Sequence, residues 1–502
     1  MFDLFFRKCP FKGEFALFGG LQEALGLISH FKLSDEDVEF VRSIMPGIDP
    51  GYVEWLRGID CSGIRVHALK EGSACFPAVP LLRLEGPLAI VQLLETPLLC
   101  LVNYATLMTT NAARIVKAAG PGKSLLEFGL RRAQGPDGAM SASRYAYAGG
   151  FHGTSNVLAA KMLGIPVKGT HAHSFVTSFT GLDDLTVRGT GTTVKAEDGT
   201  EHDLAAQAQA CLAELGFGAT NEGELAAFVA YCRSYPKVCL CLVDTYDTLR
   251  SGVPNFLAVA LALHRLGHKA VGIRLDSGDL AGLSVSARAM FVAAGEKIGD
   301  ASFDPAKFVI VATNDINEKT LAALNAQGHE INTYGIGTHL VTCQAQPALG
   351  GVFKLVEING NPRIKLSQDI GKVTLPGRKQ AFRLYGKDGA PILDLLAEAG
   401  APPPEVGLRV LCKHRSDAKK RCYVTPSRVE LLHHLVWADG KLQAELPSLH
   451  AIRTYAQEQL ALMPAACTSL SSPETYKVAV TEQLHTGLHD LWSKESSIRE
   501  LE

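Results

Sequence analysis

Residues 270–279 read AVGIRLDSGD. A short apolar run ends abruptly in an acid, a hydroxyl, a glycine and a second acid. Such a run, bounded by turn residues, reads as a buried strand over Ala270–Leu275. The design recurs along the chain. Leu125–Phe128, Pro166–Thr170, Val238–Val243, Phe308–Ala312 and Ile331–Gly335 are further β-rich runs. Helical patterns fill the intervals at Thr154–Leu163, Glu222–Ser234, Asn255–Leu266, Ser284–Ala294 and Glu318–Gln327. This alternation predicts parallel strands joined by crossover helices. Six such strands favour a closed or nearly closed α/β barrel; an open doubly wound sheet is the alternative.

The flanks read differently. Ile64–Ala68 and Leu81–Leu84 are predicted strands between Gly/Pro turns, and Ala89–Ala118 a long helix. Beyond Gly350, Val352–Ile358 and Gln380–Leu384 alternate apolar with polar residues, which predicts antiparallel strands. Ala401–Glu405 is a Pro-rich loop, and the polar segment beyond Ser469 reads as a helical appendage. The expected organisation is a barrel over 119–350, with 1–118 and 351–502 forming a second, α+β domain.

Bulk properties narrow the function. With 502 residues, 47% of them hydrophobic, the chain can bury a large core. A formal net charge of -2 gives no field to recruit nucleic acid or an anionic membrane. The twelve cysteines contain no Cys-x-x-Cys, so they are expected to be reduced core thiols of a cytoplasmic protein. The start, MFDLFFRKCP, lacks the pattern of a signal peptide. Pro87–Met108 is the most apolar long stretch; Gln92, Glu95, Pro97 and Asn103 interrupt it, so it is expected to be a buried helix rather than a membrane span.

In a barrel, chemistry sits at the C-terminal ends of the strands. Here each predicted strand runs into polar residues: Gly129, Arg131 and Arg132; His171, His173 and Ser174; Asp244, Thr245, Tyr246 and Asp247; Asp276–Asp279; Thr313, Asn314 and Asp315; Gly337, Thr338 and His339. Six such ends in register point to one shared site. Arginines there match phosphate oxygens bidentately. Gly335-Ile336-Gly337-Thr338 offers N–H groups and a hydroxyl for a phosphate nest, although most Gly-x-Gly pairs are only turns. Asp276–Asp279 suits ribose hydroxyls or magnesium through water, or else a capped turn ahead of a helix from Ser284. His171 and His173 are expected to alternate along one strand and share a face. A histidine meeting Asp244 there would be fixed in one tautomer and made more basic, as a nucleophile or acid–base group requires. An exposed pair without a role fits the spacing equally well.

These motifs resemble the nicotinate phosphoribosyltransferases, in particular the animal form. The matching stretches are LLEFGLRRAQGPDGA (125–139), GGFHGTSNVLA (149–159), GTHAHSFVTSF (169–179), LVDTYDTLRSG (242–252), VGIRLDSGDL (271–280), YGIGTHLVTC (334–343) and KLSQDIGKVTLPGRKQAFRL (365–384). The resemblance implies a type II phosphoribosyltransferase fold, an irregular α/β barrel with a second domain from N- and C-terminal segments. It implies a homodimer with shared sites, magnesium or manganese, and ATP hydrolysis through a phosphohistidine. By that resemblance, His173 is the phosphorylated histidine and Asp244 orients it. Phe128 stacks on the pyridine ring, Arg131 and Arg274 lie near base and phosphates, and Ser155 and Thr170 belong to the nicotinate pocket. Asp276 contacts ribose and, with Asp279, metal. Gly335, Gly337 and Thr338 hold the 5′-phosphate, and Arg7 and Lys354 approach the pyrophosphate across the dimer.

One departure stands out. Family members carry an N-terminal Asp-Leu-Tyr-Gln type motif whose tyrosine stacks on the base in the partner's site. This sequence begins Met1-Phe2-Asp3-Leu4 and contains no Asp-Leu-Tyr. The implied pocket has one aromatic face, with phosphoribosyl pyrophosphate binding retained and nicotinate binding reduced. The related nicotinamide and quinolinate enzymes, and a weakened paralogue acting as a dimer partner, are the alternatives to a nicotinate enzyme.

Overall fold

The structure is a computed structural model that describes residues 1–367, 372–417 and 419–496. Of the matching stretch 365–384, residues 368–371 therefore lie outside the described residues. The chain divides into two compact units: Arg114–Ser143 with Phe151–Thr342, and Met1–Ala113 with Arg144–Gly150 and Cys343–Glu502.

The first of these is the α/β unit. Its strands are β1 (Ser124–Glu127), β2 (Gly153–Thr154), β3 (Leu240–Leu242), β4 (Gly272–Leu275), β5 (Val309–Ala312) and β6 (Thr333–Ile336). They form one sheet in the order β3-β4-β5-β6-β1-β2, with every pair parallel. A sheet covered on both faces selects unbroken apolar runs. Cys241, Leu242, Ile273, Leu275, Ile310 and Ala312 are accordingly buried. The helices α1 (Val157–Leu163), α2 (His173–Thr177), α3 (Glu222–Ser234), α4 (Val253–Arg265), α5 (Leu280–Ile298) and α6 (Glu318–Gln327) lie between the strands in sequence. All eleven residues from Val253 to Leu263 of α4 are buried, as expected of a helix apolar on every side. Side-chain caps set the starts: Asn156, Asn221, Asp279 and Asn317 each accept backbone N–H groups of the following turn. Helix α5 thus begins at Leu280, ahead of the predicted Ser284, because Asp279 caps it.

Pro166–Thr170 is not a strand. It contributes one bridge, Thr154 to Val167, since Pro166 has no N–H to donate. His171 and His173 therefore do not alternate on a strand. His171 lies in the loop, and His173 is the first residue of α2. The space between this segment and β3 is crossed by His171 itself. Its Nε2 accepts the Leu242 N–H at 3.2 Å, and its carbonyl accepts from Arg274 Nη2 at 3.2 Å. The barrel is closed there by a side chain rather than a backbone ladder.

The other unit contains two six-stranded sheets. In one, Phe2–Phe6 lies between Gly351–Leu355 and Leu82–Glu85, antiparallel to both. In the other, Lys379–Tyr385 pairs with Pro391–Glu398. Lys477–Val480 runs parallel to Pro391–Glu398 inside this second sheet. The segment beyond Ser469 is thus part of the core, not only an appendage: Ala479 and Val480 are buried, and the helix Glu482–Glu495 follows. Among the described residues of this unit, the ion pairs Lys379–Asp3 and Arg383–Asp394 are buried.

Pro87–Met108 also departs from expectation. It forms two helices, Leu88–Leu93 and Glu95–Ala119, whose early part is amphipathic with Leu88 and Leu93 exposed. Among the described residues no helix is long and apolar enough to cross a membrane. The cysteine reading needs correction as well. Cys100 and Cys422 are exposed, and Cys232 is bonded to Cys239. The turn from α3 into β3 brings the end of the helix to the start of the strand, with Cα atoms 5.0 Å apart. Cys241 Sγ lies 3.7 Å from Cys232 Sγ. A thiol reagent applied to the unfolded, unreduced protein is expected to count the ten cysteines left free. All twelve would react only after reduction; twelve thiols without reductant would remove the bond.

Candidate active site

The loop after β3 carries Asp244, whose buried carboxylate has two distinct oxygens. Oδ2 accepts the Asp276 N–H at 2.9 Å and the Ser277 hydroxyl at 2.6 Å, which ties the ends of β3 and β4 together. Oδ1 is buried without a hydrogen-bond partner and lies 3.9 Å from His173 Nε2. Asp276 Oδ2 lies 3.5 Å from the same nitrogen, while Asp276 Oδ1 accepts the Thr313 hydroxyl from the end of β5. His173 Nδ1 is 3.0 Å from Thr245 Oγ1. Two carboxylates at Nε2 favour the proton on that nitrogen, leaving the Nδ1 lone pair to accept the Thr245 O–H.

His171 is a different kind of group. Burial, reinforced by the Arg274 charge, pushes it down to about 4, so it is neutral near pH 7. Its acceptor nitrogen is already taken by the Leu242 N–H. The rings of Tyr231, Phe175 and Phe228 surround it at 4.7, 5.4 and 5.9 Å. The two histidines that the sequence left interchangeable are thereby separated: one plugs the barrel, and the other faces the carboxylates.

Arg274, in β4, is the main cation here. Burial holds its guanidinium below the usual range, and Arg131 pushes the same way, against the opposing charges of Asp276 and Asp244. Its Nε is buried with no acceptor. A substrate anion reaching this group would meet a donor that is already dehydrated.

Phe128 continues β1, its N–H donating to Ile336 O at 2.9 Å. Its ring lies against Gly335, where a Cβ would come within 2.5 Å of Phe128 Cδ2 and 2.6 Å of Thr313 Cγ2. Only glycine at 335 leaves room for the ring. Gly337 comes close behind, its notional Cβ 3.2 Å from Phe128 O, and Thr338 opens the short helix Thr338–Val341. Arg131 sits on the exposed turn Leu130–Arg132. Ser155, half-buried, donates its N–H to Glu127 O at 3.0 Å, and Thr170 donates its hydroxyl to His171 O at 3.1 Å.

Not every predicted residue joins this group. Asp279 Oδ1 accepts the Gly282 N–H at 3.1 Å, so this acid caps α5, the alternative its spacing had left open. Arg7 and Lys354 belong to the other unit, where Lys354 pairs with Asp3 in the sheet. Thr245, Ser277 and Thr313 were visible only as members of polar strand ends. Their partners here show that they hold the charged groups in place. Glu127 carried no signal beyond its place in an apolar run.

A nearly closed parallel barrel, with a histidine, two carboxylates and a dehydrated arginine at its strand ends, defines an α/β enzyme built for an anionic substrate. The N-terminal domain of nicotinate phosphoribosyltransferase matches residues 1–103, and the C-terminal domain of the same family matches 378–488. The nicotinate phosphoribosyltransferase of Dictyostelium discoideum is 53% identical, with all of this chain and 85% of that protein aligned. The Homo sapiens enzyme is 49% identical, over 99% of this chain and 92% of its own length. The crystal structure of human nicotinic acid phosphoribosyltransferase superposes with a TM-score of 0.87 at 46% identity, covering 98% of this chain and 95% of that one. A nicotinate-nucleotide pyrophosphorylase from Pyrococcus furiosus, at 21% identity and a TM-score of 0.56 over 92% and 88% of the two chains, shares the fold. The chain belongs to the nicotinate phosphoribosyltransferase family.

Proposed function

We propose that this chain transfers the phosphoribosyl group of phosphoribosyl pyrophosphate to nicotinate, forming nicotinate mononucleotide and pyrophosphate in NAD salvage. The observation that carries the reading is Arg274, a half-buried arginine whose Nε is buried and unpartnered at a barrel strand end. In the reaction, the bond from ribose C1 to the pyrophosphate oxygen breaks and the leaving group keeps the electron pair. The pyridine nitrogen then bonds to C1. Phe128 offers a ring face to the pyridine, with Ser155 and Thr170 at the pocket wall and Arg131 and Arg274 compensating anionic charge. Asp276 accepts ribose hydroxyls, and Gly335, Gly337 and Thr338 cradle the 5′-phosphate. Magnesium or manganese would be held by Asp276 together with pyrophosphate oxygens, and would neutralise the leaving group. Asp279, committed to its cap, fits that role poorly.

ATP enters the reading through His173. With Nε2–H directed at Asp276 and Asp244, the Thr245 hydroxyl turns away from Nδ1, whose freed lone pair attacks the γ-phosphorus; the bond to the bridging oxygen breaks, and ADP leaves with that electron pair. Hydrolysis of the phosphohistidine then returns phosphate. The cytoplasm is the proposed compartment and a homodimer the proposed assembly, with Arg7 and Lys354 supplied to the partner's pyrophosphate. The exposed apolar side chains Val157, Leu158 and Met162 on α1 support an interface.

Substrate choice tests the reading. An amide donates hydrogen bonds and would favour a nearby acid, whereas a carboxylate is repelled by one. Gly153–Asn156 contains no acid, and the buried Glu127 carboxylate behind it is taken up by the Gly129 N–H and the Thr154 and Ser143 hydroxyls. Nicotinate is expected to outcompete nicotinamide, and Ser155→Asp to raise the KM for nicotinate about tenfold or more. Competition kinetics with nicotinamide as the better substrate of the unmodified enzyme would overturn the proposal.

A further inference from the structure

Glu127 ends β1 one residue before the aromatic ring of the site, and its carboxylate is fully buried. Among the described residues no lysine or arginine forms an ion pair with it. A buried carboxylate without a counter-ion is retained only if its oxygens are well supplied with donors. Three converge here. Oε1 accepts the Gly129 N–H, and Oε2 accepts the hydroxyls of Thr154 at 2.6 Å and Ser143 at 2.8 Å. Both hydroxyls also accept from Asn156: Thr154 Oγ1 from its backbone N–H at 2.9 Å, and Ser143 Oγ from its side-chain amide at 3.2 Å. The backbone of Glu127 joins in, its carbonyl accepting Ser155 N–H at 3.0 Å and the Ser155 hydroxyl at 3.3 Å.

The connections have a direction. On one side the carboxylate holds the Gly129 N–H, and so the turn that carries Phe128 and Arg131. Gly129 has little freedom of its own, since a Cβ there would fall 2.3 Å from Val341 Cγ1. On the other side it holds Thr154, and through Thr154 and Asn156 the two neighbours of Ser155. Phe128 and Arg131 come from one turn and Ser155 from another, and one side chain fixes the spacing between the two.

We infer that Glu127 is the positioning residue of the base pocket, its carboxylate setting the Phe128–Arg131 turn against Ser155. The inference rests on the proposed reading that these residues receive the pyridine. Both carboxylate oxygens accept, and all three bonds are charge-assisted. A glutamine at 127 could give its oxygen to the Gly129 N–H, but its amide nitrogen would reverse the other two bonds, making the Thr154 and Ser143 hydroxyls accept instead of donate and replacing charge-assisted bonds with neutral ones. The turn and the Ser155 strand end would lose their common anchor while the rest of the barrel stayed intact. Misplacement of a binding group by about 1 Å is enough for a hundredfold loss in favourable cases.

The test compares Glu127→Gln, Ser143→Ala and Phe128→Ala with the unmodified full chain. Calorimetry measures binding of nicotinate and, separately, of phosphoribosyl pyrophosphate; steady-state kinetics measures KM for each. Glu127→Gln is expected to weaken nicotinate binding and raise its KM about tenfold, with phosphoribosyl pyrophosphate binding changed less than about twofold. Ser143→Ala, which removes one donor and little volume, is expected to shift the same parameter in the same direction by less. It decides the matter alone if Glu127→Gln does not fold. If Phe128→Ala leaves nicotinate binding unchanged, the base-site reading itself is wrong. If Phe128→Ala weakens nicotinate while the other two variants do not, or weaken both substrates equally, the positioning role of Glu127 is overturned.

Discussion

Replacing His173 by alanine is expected to abolish ATP-dependent phosphorylation of the protein and the ATP stimulation that depends on it, while basal phosphoribosyl transfer partly survives. The expectation comes from the contrast between the two histidines of the loop. His173 Nε2 faces Asp276 at 3.5 Å and Asp244 at 3.9 Å, and Thr245 contacts its Nδ1. In the proposed reading the two carboxylates keep the proton on Nε2 and stabilise the positive ring that phosphorylation creates, and Nδ1 is the nucleophile once the rotatable Thr245 hydroxyl releases it. His171 has its acceptor nitrogen bound to a backbone N–H and is too weakly basic to gain a proton near pH 7. Radiolabelled ATP should mark the unmodified chain with an acid-labile, base-stable phosphate, and should still mark His171→Gln, which keeps an acceptor for Leu242. Asp244→Asn should slow labelling about a hundredfold by removing the charge that orients the ring. Label lost in His171→Gln but kept in His173→Ala would reverse the assignment.

The largest effect on stability is expected at Asp394. Its carboxylate takes Arg383 Nε at 2.8 Å and Nη2 at 2.9 Å, and the Tyr476 hydroxyl at 3.1 Å. Arg383 also reaches Ala74 O at 2.8 Å and Gln459 Oε1 at 3.1 Å. Both charges are buried. The pair therefore joins two adjacent strands to the strand at Ala74 and the helix at Gln459 within one unit. Asp394→Ala would leave a buried guanidinium with neutral partners only, a loss of about 3–5 kcal/mol. Exchanging both residues for apolar ones of similar volume should be far milder, because no orphaned charge remains. Urea unfolding of the single and double variants measures the difference. A single variant within about 1 kcal/mol of the unmodified protein would show that the charges are compensated in some other way.

What could be read in advance followed the strength of local signals. Glu222–Ser234 and Glu318–Gln327 were recovered to the residue, because each has an asparagine cap and a sustained pattern. Five of the six predicted strands were legible as apolar runs, since a sheet buried on both faces needs nothing else. Pro166–Thr170 failed because apolar character does not supply the N–H that Pro166 lacks. Lys477–Val480 was hidden in a polar tail: four residues are too few to show a period, and its partners are far away in sequence. At the site, residue types were legible but relations were not. Nothing local says that Asp279 turns back to its own helix while Asp276 turns to His173. Nor does a glutamate in an apolar run show that three donors from distant segments meet on it.

The sheet that holds Phe2–Phe6 has a consequence for the order of events on the ribosome. One neighbour of this strand, Leu82–Glu85, is synthesised soon after it, but the other, Gly351–Leu355, comes only after the whole α/β unit. At ordinary translation rates of about 5–20 residues per second, the interval is on the order of 20–70 s. Throughout that time one edge of FDLFF has no ladder to join, and Asp3 waits for Lys379, the cation it meets in the finished core. An unpaired apolar edge is the feature that invites pairing with another chain. The nascent protein thus passes through a long stage in which the α/β unit, all of it synthesised by Thr342, can complete itself while the unit that still awaits Gly351–Leu355 cannot, and shielding by a chaperone has most to offer during that stage.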